Sequence, residues 1–320
     1  MIPFVIIFSI LLVLAAGLLF GARYAYKVCF MRHGDGKADP YSGLDRGAFV
    51  DHADEVRGLI DRLIATPFEE IRIRSHDGLC LYGRYYHQKD GAPIQLYMHG
   101  YRSTPLRDFA KSGCAAIDGG YNLLLVDQRA HGESEGEALS FGINERYDCL
   151  GWAEYLAKRF PDSKIILHGI SMGGATVLMA SELPLPKEVA CIIADCPYSS
   201  PKDIIIRVTK HTLKLPGKPL FPIVWLGARI FGKFSVTAAS PERAVRSTDI
   251  PILLIHGDAD DFVPTYMSEQ IAKEIKAGGG RLVKIKDADH AVAAIVGGEE
   301  YRRAMYGFIE AETASKGDKE

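Results

Sequence analysis

Residues 164–176 restrict the fold of this chain more than any other stretch. The apolar run Ile165–Leu167 predicts a buried strand, and the small-residue run 175–180 predicts a helix. Between them lies a Gly-x-Ser-x-Gly sequence centred on Ser171. Its glycines let two backbone segments pass close together and tolerate a strained turn. A serine on a tight turn between a strand and a helix is a candidate nucleophile, and the alternative is an inert glycine-rich turn.

Strands and helices alternate on both sides of this stretch. Strands are predicted at 94–98, 121–126, 189–194, 250–255 and 281–286, and helices at 105–118, 143–160, 264–277 and 298–313. Near-continuous apolar strands separated by helices indicate an α/β fold with a mostly parallel central sheet flanked by helices. The segments 69–74 and 79–87 predict a hairpin at one edge of the sheet.

The first 21 residues carry no charged side chain. A helix needs about 20 apolar residues to cross a bilayer. A cleaved signal peptide is the alternative, but no Lys or Arg precedes this run, and the run is longer than the usual apolar core of such a peptide. We therefore expect a retained N-terminal transmembrane helix over residues 1–22. Because Arg23, Lys27 and Arg32 follow it, the positive-inside rule predicts a single-pass protein with its body in the cytoplasm.

Charge and cysteine content argue against two classes of function. With 38 Lys and Arg against 40 Asp and Glu, the chain lacks the basic excess of a nucleic-acid-binding protein. The six cysteines are scattered, without a C-x-x-C pair or metal-ligand spacing. This predicts no metal site and reduced, mostly buried thiols, in agreement with a cytoplasmic body. No feature of the sequence predicts an oligomeric state.

The same pattern divides the chain into parts. The α/β core is predicted at 68–196 and 248–313, and residues 314–320 form a tail. Before the core, residues 23–67 are expected to form a juxtamembrane linker and an amphipathic helix. The segment 197–247 interrupts the core and is too long for a plain connection between strand and helix. Because it contains two apolar pieces, we expect a small helical cap there.

The predicted cap is strongly basic. Up to Phe234 its only acid is Asp203, and its basic residues are Lys202, Arg207, Lys210, Lys214, Lys218, Arg229 and Lys233. An ordinary solvated basic face is one interpretation. A face turned towards anionic lipid headgroups or an acidic substrate is the other.

A nucleophilic serine needs a base to take its proton and an acid to orient that base. Loops at the carboxyl ends of later strands supply both in sheets of this kind. Of three carboxylates after strand 250–255, Asp260 is favoured, because Val263-Pro264 behind it begin the next helix. Asp258 and Asp261 are alternatives that suit turn or capping roles. Asp195, which also ends a strand, is the rival acid.

The base should follow the last strand, and His290 lies in the loop just past it. His168 and His256 sit at strand ends beside glycines, and His131 belongs to a turn. For each of these three the plain alternative is a hydrogen-bonded histidine without a catalytic role.

Two N–H groups are also needed to hold the oxyanion. One is that of Met172, the residue after the candidate nucleophile. The other should come from the loop 99–103, where the Tyr101 N–H is the natural donor. Whether the Tyr101 phenol also reaches the oxyanion stays open at this point.

Five motifs in this order resemble those of the α/β-hydrolase fold serine hydrolases. They are His99-Gly100, Asp127-x-Arg129-x-His131-Gly132-x-Ser134-x-Gly136, Gly169-x-Ser171-x-Gly173, His256-Gly257-x-x-Asp260-x-x-Val263-Pro264 and Asp289-His290. The resemblance covers residues 68–312. It is strongest to the membrane-anchored branch of carboxylesterase-like and serine aminopeptidase-like enzymes. Asp289-His290 departs from the more usual Gly-His, and the cap matches none of known specificity.

Together the residues and the resemblance predict hydrolysis of a carboxylic ester or related acyl bond through an acyl-enzyme on Ser171. His290 is the expected base and Asp260 its partner, with the oxyanion held by Tyr101 and Met172. No metal or cofactor is implied. The expected partners are a small-molecule or lipid-like acyl substrate and, through the N-terminal helix, a membrane. Alternatives are a peptidase or thioesterase (protein deacylase) with the same triad, or a hydrolase-fold protein that only binds.

Overall fold

The computed structural model describes residues 2–32 and 39–314 of the chain. Eight strands form one sheet in the order β1-β2-β4-β3-β5-β6-β7-β8. They are β1 (Glu69–Arg74), β2 (Cys80–Tyr86), β3 (Ile94–Met98), β4 (Asn122–Asp127), β5 (Ile165–Ile170), β6 (Val189–Asp195), β7 (Ile252–Gly257) and β8 (Gly280–Ile285). β1 and β2 pair antiparallel with each other, and β2 pairs antiparallel with β4, whereas β3 to β8 run parallel. The predicted mostly parallel sheet with an edge hairpin is confirmed.

The described residues form twelve α-helices, some of which cover both faces of this sheet. They are α1 (Ile2–Phe30), α2 (Ala53–Ala65), α3 (Pro105–Asp108), α4 (Ala110–Asp118), α5 (Glu145–Arg159), α6 (Met172–Ala180), α7 (Pro201–His211), α8 (Gly217–Gly227), α9 (Pro241–Ala244), α10 (Tyr266–Glu274), α11 (Ala293–Val296) and α12 (Gly298–Thr313). One buried cluster joins the sheet to α5, α6 and α10, and two others join it to α2, α4 and α12. Because both faces are covered, β3, β5 and β7 are buried along their whole length.

Two predicted helices differ in detail from those observed. The helix expected at 105–118 is broken at Phe109 into α3 and α4. The amphipathic helix expected before the core begins as a 3₁₀ turn, Gly47–His52, and continues as α2. Val56, Ile60 and Leu63 of α2 are buried one or two turns apart, so this helix packs on the body as expected.

The N-terminal helix continues past residue 22, where the anchor was predicted to end. α1 runs without a break to Phe30, so residues 23–30 are helix and not linker. The reason is packing: Tyr26 and Phe30 are buried against the cap. A Cβ placed on Gly227 of α8 would lie 2.3 Å from the Ala22 carbonyl oxygen, so only glycine permits this close crossing. Much of the remaining linker prediction, at 33–38, lies outside the described residues.

The cap contains the two helical pieces that its sequence predicts. They are α7 and α8, and α8 ends in a π-helical turn, Ala228–Gly232. The apolar sides of both helices pack over α6 and onto the end of α1. The cap therefore lies above the carboxyl end of β5, where Ser171 follows the strand.

Candidate active site

Ser171 occupies a strained turn between β5 and α6. Its φ of 55° and ψ of −114° lie in a region that side-chain-bearing residues rarely adopt. A Cβ on Gly169 would lie 2.2 Å from the Gly173 carbonyl oxygen, and one on Gly173 would lie 1.7 Å from the Met98 carbonyl oxygen. The two glycines of the motif are therefore required by close backbone packing, and they hold the serine at the apex of the turn.

The three residues predicted as a triad lie together. His290 Nε2 is 2.9 Å from Ser171 Oγ, and His290 Nδ1 is 2.7 Å from Asp260 Oδ2. Each comes from a loop at the carboxyl end of a parallel strand, namely β5, β7 and β8. Asp260 is fully buried at its side chain, whereas 19% of the His290 side chain is exposed. A continuous hydrogen-bond chain thus runs from a buried carboxylate to the serine hydroxyl.

Asp260 is held as an ionised acceptor. Its Oδ1 accepts the N–H groups of Phe262 and Val263, at 3.0 and 2.8 Å. Burial raises the pKa of this carboxyl, but the neighbouring His290 and His256 together lower it by more than burial raises it. The pKa of Asp260 therefore lies well below its usual range. The carboxylate is therefore available to orient His290.

The other candidate acids have different surroundings. Asp258 Oδ1 accepts the N–H of Asp287 at 2.7 Å and joins the loop after β7 to the loop after β8. The backbone carbonyl of Asp261 accepts a hydrogen bond from Arg207 of the cap. Asp195 is buried, and no described residue donates a hydrogen bond to its Oδ1. Burial raises the pKa of Asp195 to about 6. Among the described carboxylates, it is Asp260 that lies within hydrogen-bond distance of His290 Nδ1.

The pKa of His290 is raised above its ordinary value. Burial disfavours the charged imidazolium, but the Asp260 carboxylate favours it by more, and Asp108 and Asp195 add to this effect. The side chain of the neighbouring Asp289 accepts the backbone N–H of His290 at 2.6 Å. Asp289, which stands where Gly is more usual, therefore helps to position His290. His290 is therefore both oriented and made more basic.

The loop after β3 passes close to Ser171. A Cβ on Gly100 would lie 3.5 Å from Ser171 Cβ, and Tyr101 is the next residue. Among the described residues nothing accepts the Tyr101 N–H. The N–H of Met172 opens α6, and first-turn amides have no acceptor inside their own helix. Both predicted oxyanion donors are thus available beside Ser171.

The Tyr101 phenol points away from this position. It donates a hydrogen bond of 3.0 Å to the carbonyl oxygen of Cys29, in the last turn of α1. The adjacent Arg102 donates through Nη2 to the carbonyl oxygens of Val28 and Met31, at 2.7 and 3.2 Å. Carbonyls at a helix end lack intrahelical partners and favour a cation. The oxyanion loop, residues 99–103, is therefore bonded to the end of the N-terminal helix.

Two further residues support the oxyanion loop through contacts that the sequence analysis did not predict. Asp108 Oδ2 accepts the Gly100 N–H at 2.7 Å, and His131 Nε2 accepts the Arg102 N–H at 3.1 Å. Asp108 sits in the first turn of a helix, where a carboxylate is usually explained by capping. His131 lies in a turn as predicted, but the sequence contains no signal of the segment it would face.

The cavity beside Ser171 has a volume of about 750 Å³. It is bounded by the oxyanion loop, the His290 loop, the end of α7 and the segment 43–49. Arg46 and Arg207 line it together with Phe262, so it combines cationic and apolar surface.

One group of possible metal ligands overlaps the triad. Cys196, Asp260 and His290 place ligand atoms within 4.8 Å of one another. Asp260 and His290 are already engaged with each other, and burial raises the pKa of the Cys196 thiol well above its usual value. A protonated thiol is a poor metal ligand, so this cluster fits a hydrogen-bonded triad better than a metal site.

Three comparisons relate the chain to known proteins. A family model described as alpha/beta hydrolase fold matches residues 105–245. The uncharacterized protein YqkD of Bacillus subtilis (strain 168) is 27% identical over 195 residues, which cover 61% of this chain and 64% of that protein. The human mitochondrial palmitoyl-protein thioesterase ABHD10 is 24% identical over 205 residues, covering 61% and 63%. The structure of the Pyrococcus furiosus esterase Pf2001 aligns with a TM-score of 0.66 at 23% identity, covering 79% of this chain and 94% of that one.

The chain has the α/β-hydrolase fold, as its motifs predict. An esterase and a thioesterase are among the proteins that the chain is similar to. The alignments span less than two thirds of the length of both curated relatives. α1 is long and apolar enough to cross a membrane, because an 18-residue window within Phe4–Phe30 has a mean hydropathy of 2.8, a property that it shares with signal sequences.

Proposed function

We propose that the chain is a serine hydrolase that cleaves a carboxylic ester, or a related acyl bond, through an acyl-enzyme on Ser171. The observation that carries the proposal is the hydrogen-bond chain from Ser171 through His290 to Asp260, with distances of 2.9 and 2.7 Å. A protein that only bound a ligand would not need these hydrogen bonds between Ser171, His290 and Asp260. It would also not need a strained serine beside two free amides.

The proposed reaction proceeds in two halves. His290 Nε2 takes the Ser171 proton as Oγ attacks the acyl carbon, and the amides of Tyr101 and Met172 hold the oxyanion. The bond to the leaving group then breaks, and the imidazolium gives its proton to the departing oxygen. Water, deprotonated by His290, attacks the acyl-enzyme, releases the carboxylic acid and restores Ser171. Asp260 holds the imidazole in the required tautomer and stabilises the imidazolium.

A panel of substrates on the purified full-length protein tests this proposal. It comprises esters of increasing acyl length, a palmitoyl thioester and a peptide amide, with Ser171→Ala as the matched control. We expect ester hydrolysis by the wild type and its loss in the variant. Equal ester hydrolysis by both proteins would exclude Ser171 as the nucleophile, and no hydrolysis of any substrate would favour a binding protein.

The second candidate is a thioesterase that deacylates lipidated proteins. The similarity to a palmitoyl-protein thioesterase favours it, and the same residues would carry the chemistry. A larger kcat/KM for the palmitoyl thioester than for any ester would move the assignment to this candidate. A preference for the peptide amide would instead favour a peptidase.

We further propose that α1 is retained as a single-pass anchor with the body on the cytoplasmic side. The end of α1 packs on the body and is hydrogen-bonded to it. Ala22 is buried against α8, and the last-turn carbonyls of α1 accept hydrogen bonds from Tyr101 and Arg102. Protease protection on intact cells and the mass of the mature chain test both parts. External cleavage of the body would overturn the orientation, and a mature chain without residues 1–22 would overturn the anchor.

A further inference from the structure

The N-terminal helix reaches the body without a spacer. Its side chains from Phe4 to Phe20 are exposed, and Ala22 is already buried against the cap. At a rise of about 1.5 Å per residue, the helix from Ile2 to Phe20 is about 28 Å long, close to the roughly 30 Å hydrocarbon thickness of a bilayer. A helix that uses this whole length to cross the bilayer brings the cap to the headgroup layer.

The cap presents a mixed apolar and basic surface next to that helix. We define the α8 face as the exposed residues Leu213, Lys214, Leu215, Lys218, Trp225 and Arg229. Lys218 and Trp225 lie seven residues apart on one side of α8, and Arg229 follows four residues later in the π-helical turn, while Gly227 on another side of α8 contacts α1. Leucine, tryptophan and basic side chains on one exposed face are typical of helices that lie in a membrane interface.

The charge of this surface is one-sided. The sequence has no acidic residue from Ile204 to Pro241. Lys214, Lys218 and Arg229 form no ion pair with any of the described acidic residues. Unpaired basic side chains beside a bilayer are attracted to anionic lipid headgroups.

The α8 face also adjoins the mouth of the active-site cavity. Arg207, His211 and Thr212 line that cavity, and Leu213 is the next residue of the chain. A compound held in the membrane interface beneath Leu213 and Leu215 would therefore lie at the entrance to Ser171.

We propose that the α8 face rests on the anionic headgroup layer of the membrane that holds α1, and that the cavity takes amphiphilic acyl substrates from that leaflet. This docking proposal rests on the proposed retained anchor. Of the two interpretations of the basic cap, it favours contact with anionic lipid headgroups over an ordinary solvated surface.

The two tryptophans of the chain allow a direct test. Trp225 in the α8 face is 36% exposed, and Trp152 in the core is 1% exposed. Full-length protein is reconstituted in vesicles of phosphatidylcholine and phosphatidylglycerol that contain lipids brominated near the headgroup. We expect the brominated lipid to quench the wild type, and the Trp225→Phe variant, which keeps Trp152, to lose that quenching.

The same experiment separates the docking from the anchor. If the protein floats with the vesicles but aqueous iodide, and not brominated lipid, quenches Trp225, the docking is wrong and the anchor stands. If the protein does not float with the vesicles, both are wrong.

A charge-reversal pair tests the role of the lipid charge. Lys214→Glu with Lys218→Glu should lower Trp225 quenching in the anionic vesicles by roughly twofold or more. Hydrolysis of a short soluble ester in detergent should not change. The control pair, Lys158→Glu with Lys187→Glu, reverses two exposed lysines outside the cap, one in the last turn of α5 and one just before β6. An equal loss of quenching in the control pair, or no loss in the cap pair, would contradict the proposal.

Discussion

The two sides of Ser171 are held in different ways. On the base side, Asp260 and His290 come from loops after β7 and β8, and buried backbone amides fix the carboxylate. On the oxyanion side, the loop 99–103 is fixed by the Asp108 carboxylate and by carbonyls at the end of α1. The base side therefore depends on loops of the sheet and on Arg207 of the cap, which donates to the Asp261 carbonyl. The oxyanion side depends in part on the helix that we propose to be the membrane anchor.

Each side of Ser171 also contains a buried histidine outside the triad. His256 bridges Ser268 and Val263 within the loop region after β7 and also lies 3.3 Å from Asp260. His99, the first residue of the oxyanion loop, accepts the N–H of Gln128, and burial lowers its pKa to about 3. Buried histidines thus lie on both sides of Ser171, and of these two it is His256 that contacts the triad.

The largest expected effect comes from removing the carboxylate of the base side. Asp260→Asn should lower kcat by about 10⁴-fold, because the amide no longer fixes the required tautomer of His290. Catalysis needs neutral His290, whose raised pKa places the wild-type midpoint of the pH–rate profile above the usual value of about 6.5. Without Asp260, burial lowers the pKa, so the midpoint should move to lower pH.

Asp195→Asn is the matched control for this prediction, since Asp195 is the other buried strand-end acid. It should retain activity within about tenfold, because it makes no contact with His290 Nδ1. A severe loss in Asp195→Asn together with near-normal activity in Asp260→Asn would exchange the two assignments.

The next largest effect should come from the oxyanion side. Asp108→Ala frees the Gly100 N–H and loosens the loop, so kcat should fall by about 10²-fold, as when an oxyanion donor is lost. KM should change less than kcat, since Asp108 supports the loop through the Gly100 N–H. The pH midpoint should also move down slightly, because Asp108 helps to raise the pKa of His290. Steady-state kinetics across pH measure both.

Asp118→Asn controls for the loss of a carboxylate in the same region, because Asp118 is exposed and pairs with Arg62. It should behave as the wild type. An Asp108→Ala protein that keeps its melting temperature and full kcat would show that the oxyanion loop does not need this support.

Removing one bond between the oxyanion loop and α1 should have a smaller effect. Tyr101→Phe deletes the hydrogen bond to Cys29, and one such bond contributes about 0.5–1.5 kcal/mol. We expect kcat to fall by about two- to tenfold while KM stays constant. Tyr24→Phe is the control, because Tyr24 is an exposed phenol on the same helix. A change in KM alone would mean that Tyr101 acts on substrate binding.

The smallest effect on activity should come from the crossing of α1 and α8. Gly227→Ala places a methyl group against the Ala22 carbonyl and should lower the melting temperature by a few degrees, about 2–4 °C per kcal/mol. Activity should fall by about twofold or less. Gly307→Ala adds a methyl group where no atom lies within 4 Å and should not destabilise the protein. Equal melting temperatures of the two variants would contradict the close packing of α1 on the cap.

Sequence patterns could predict the base side more fully than the oxyanion side. Ser171, Asp260 and His290 each follow an apolar strand, so their positions relative to the sheet can be inferred from local pattern alone. The role of Asp108 depends on a tertiary contact with Gly100 eight residues earlier, which no local pattern records. The length of α1 could not be predicted either. Charges begin at Arg23, but burial of Tyr26 and Phe30 in the cap continues the helix.

We propose Ser171 as a nucleophile that His290 activates. Fluorophosphonate labelling followed by peptide mass spectrometry tests this role, since the reagent reacts with activated serines. We expect one adduct, on the peptide that contains Ser171, with no label on Ser171→Ala and slow labelling of Asp260→Asn. No label on the folded wild type, or equal label on Ser171→Ala, would contradict it.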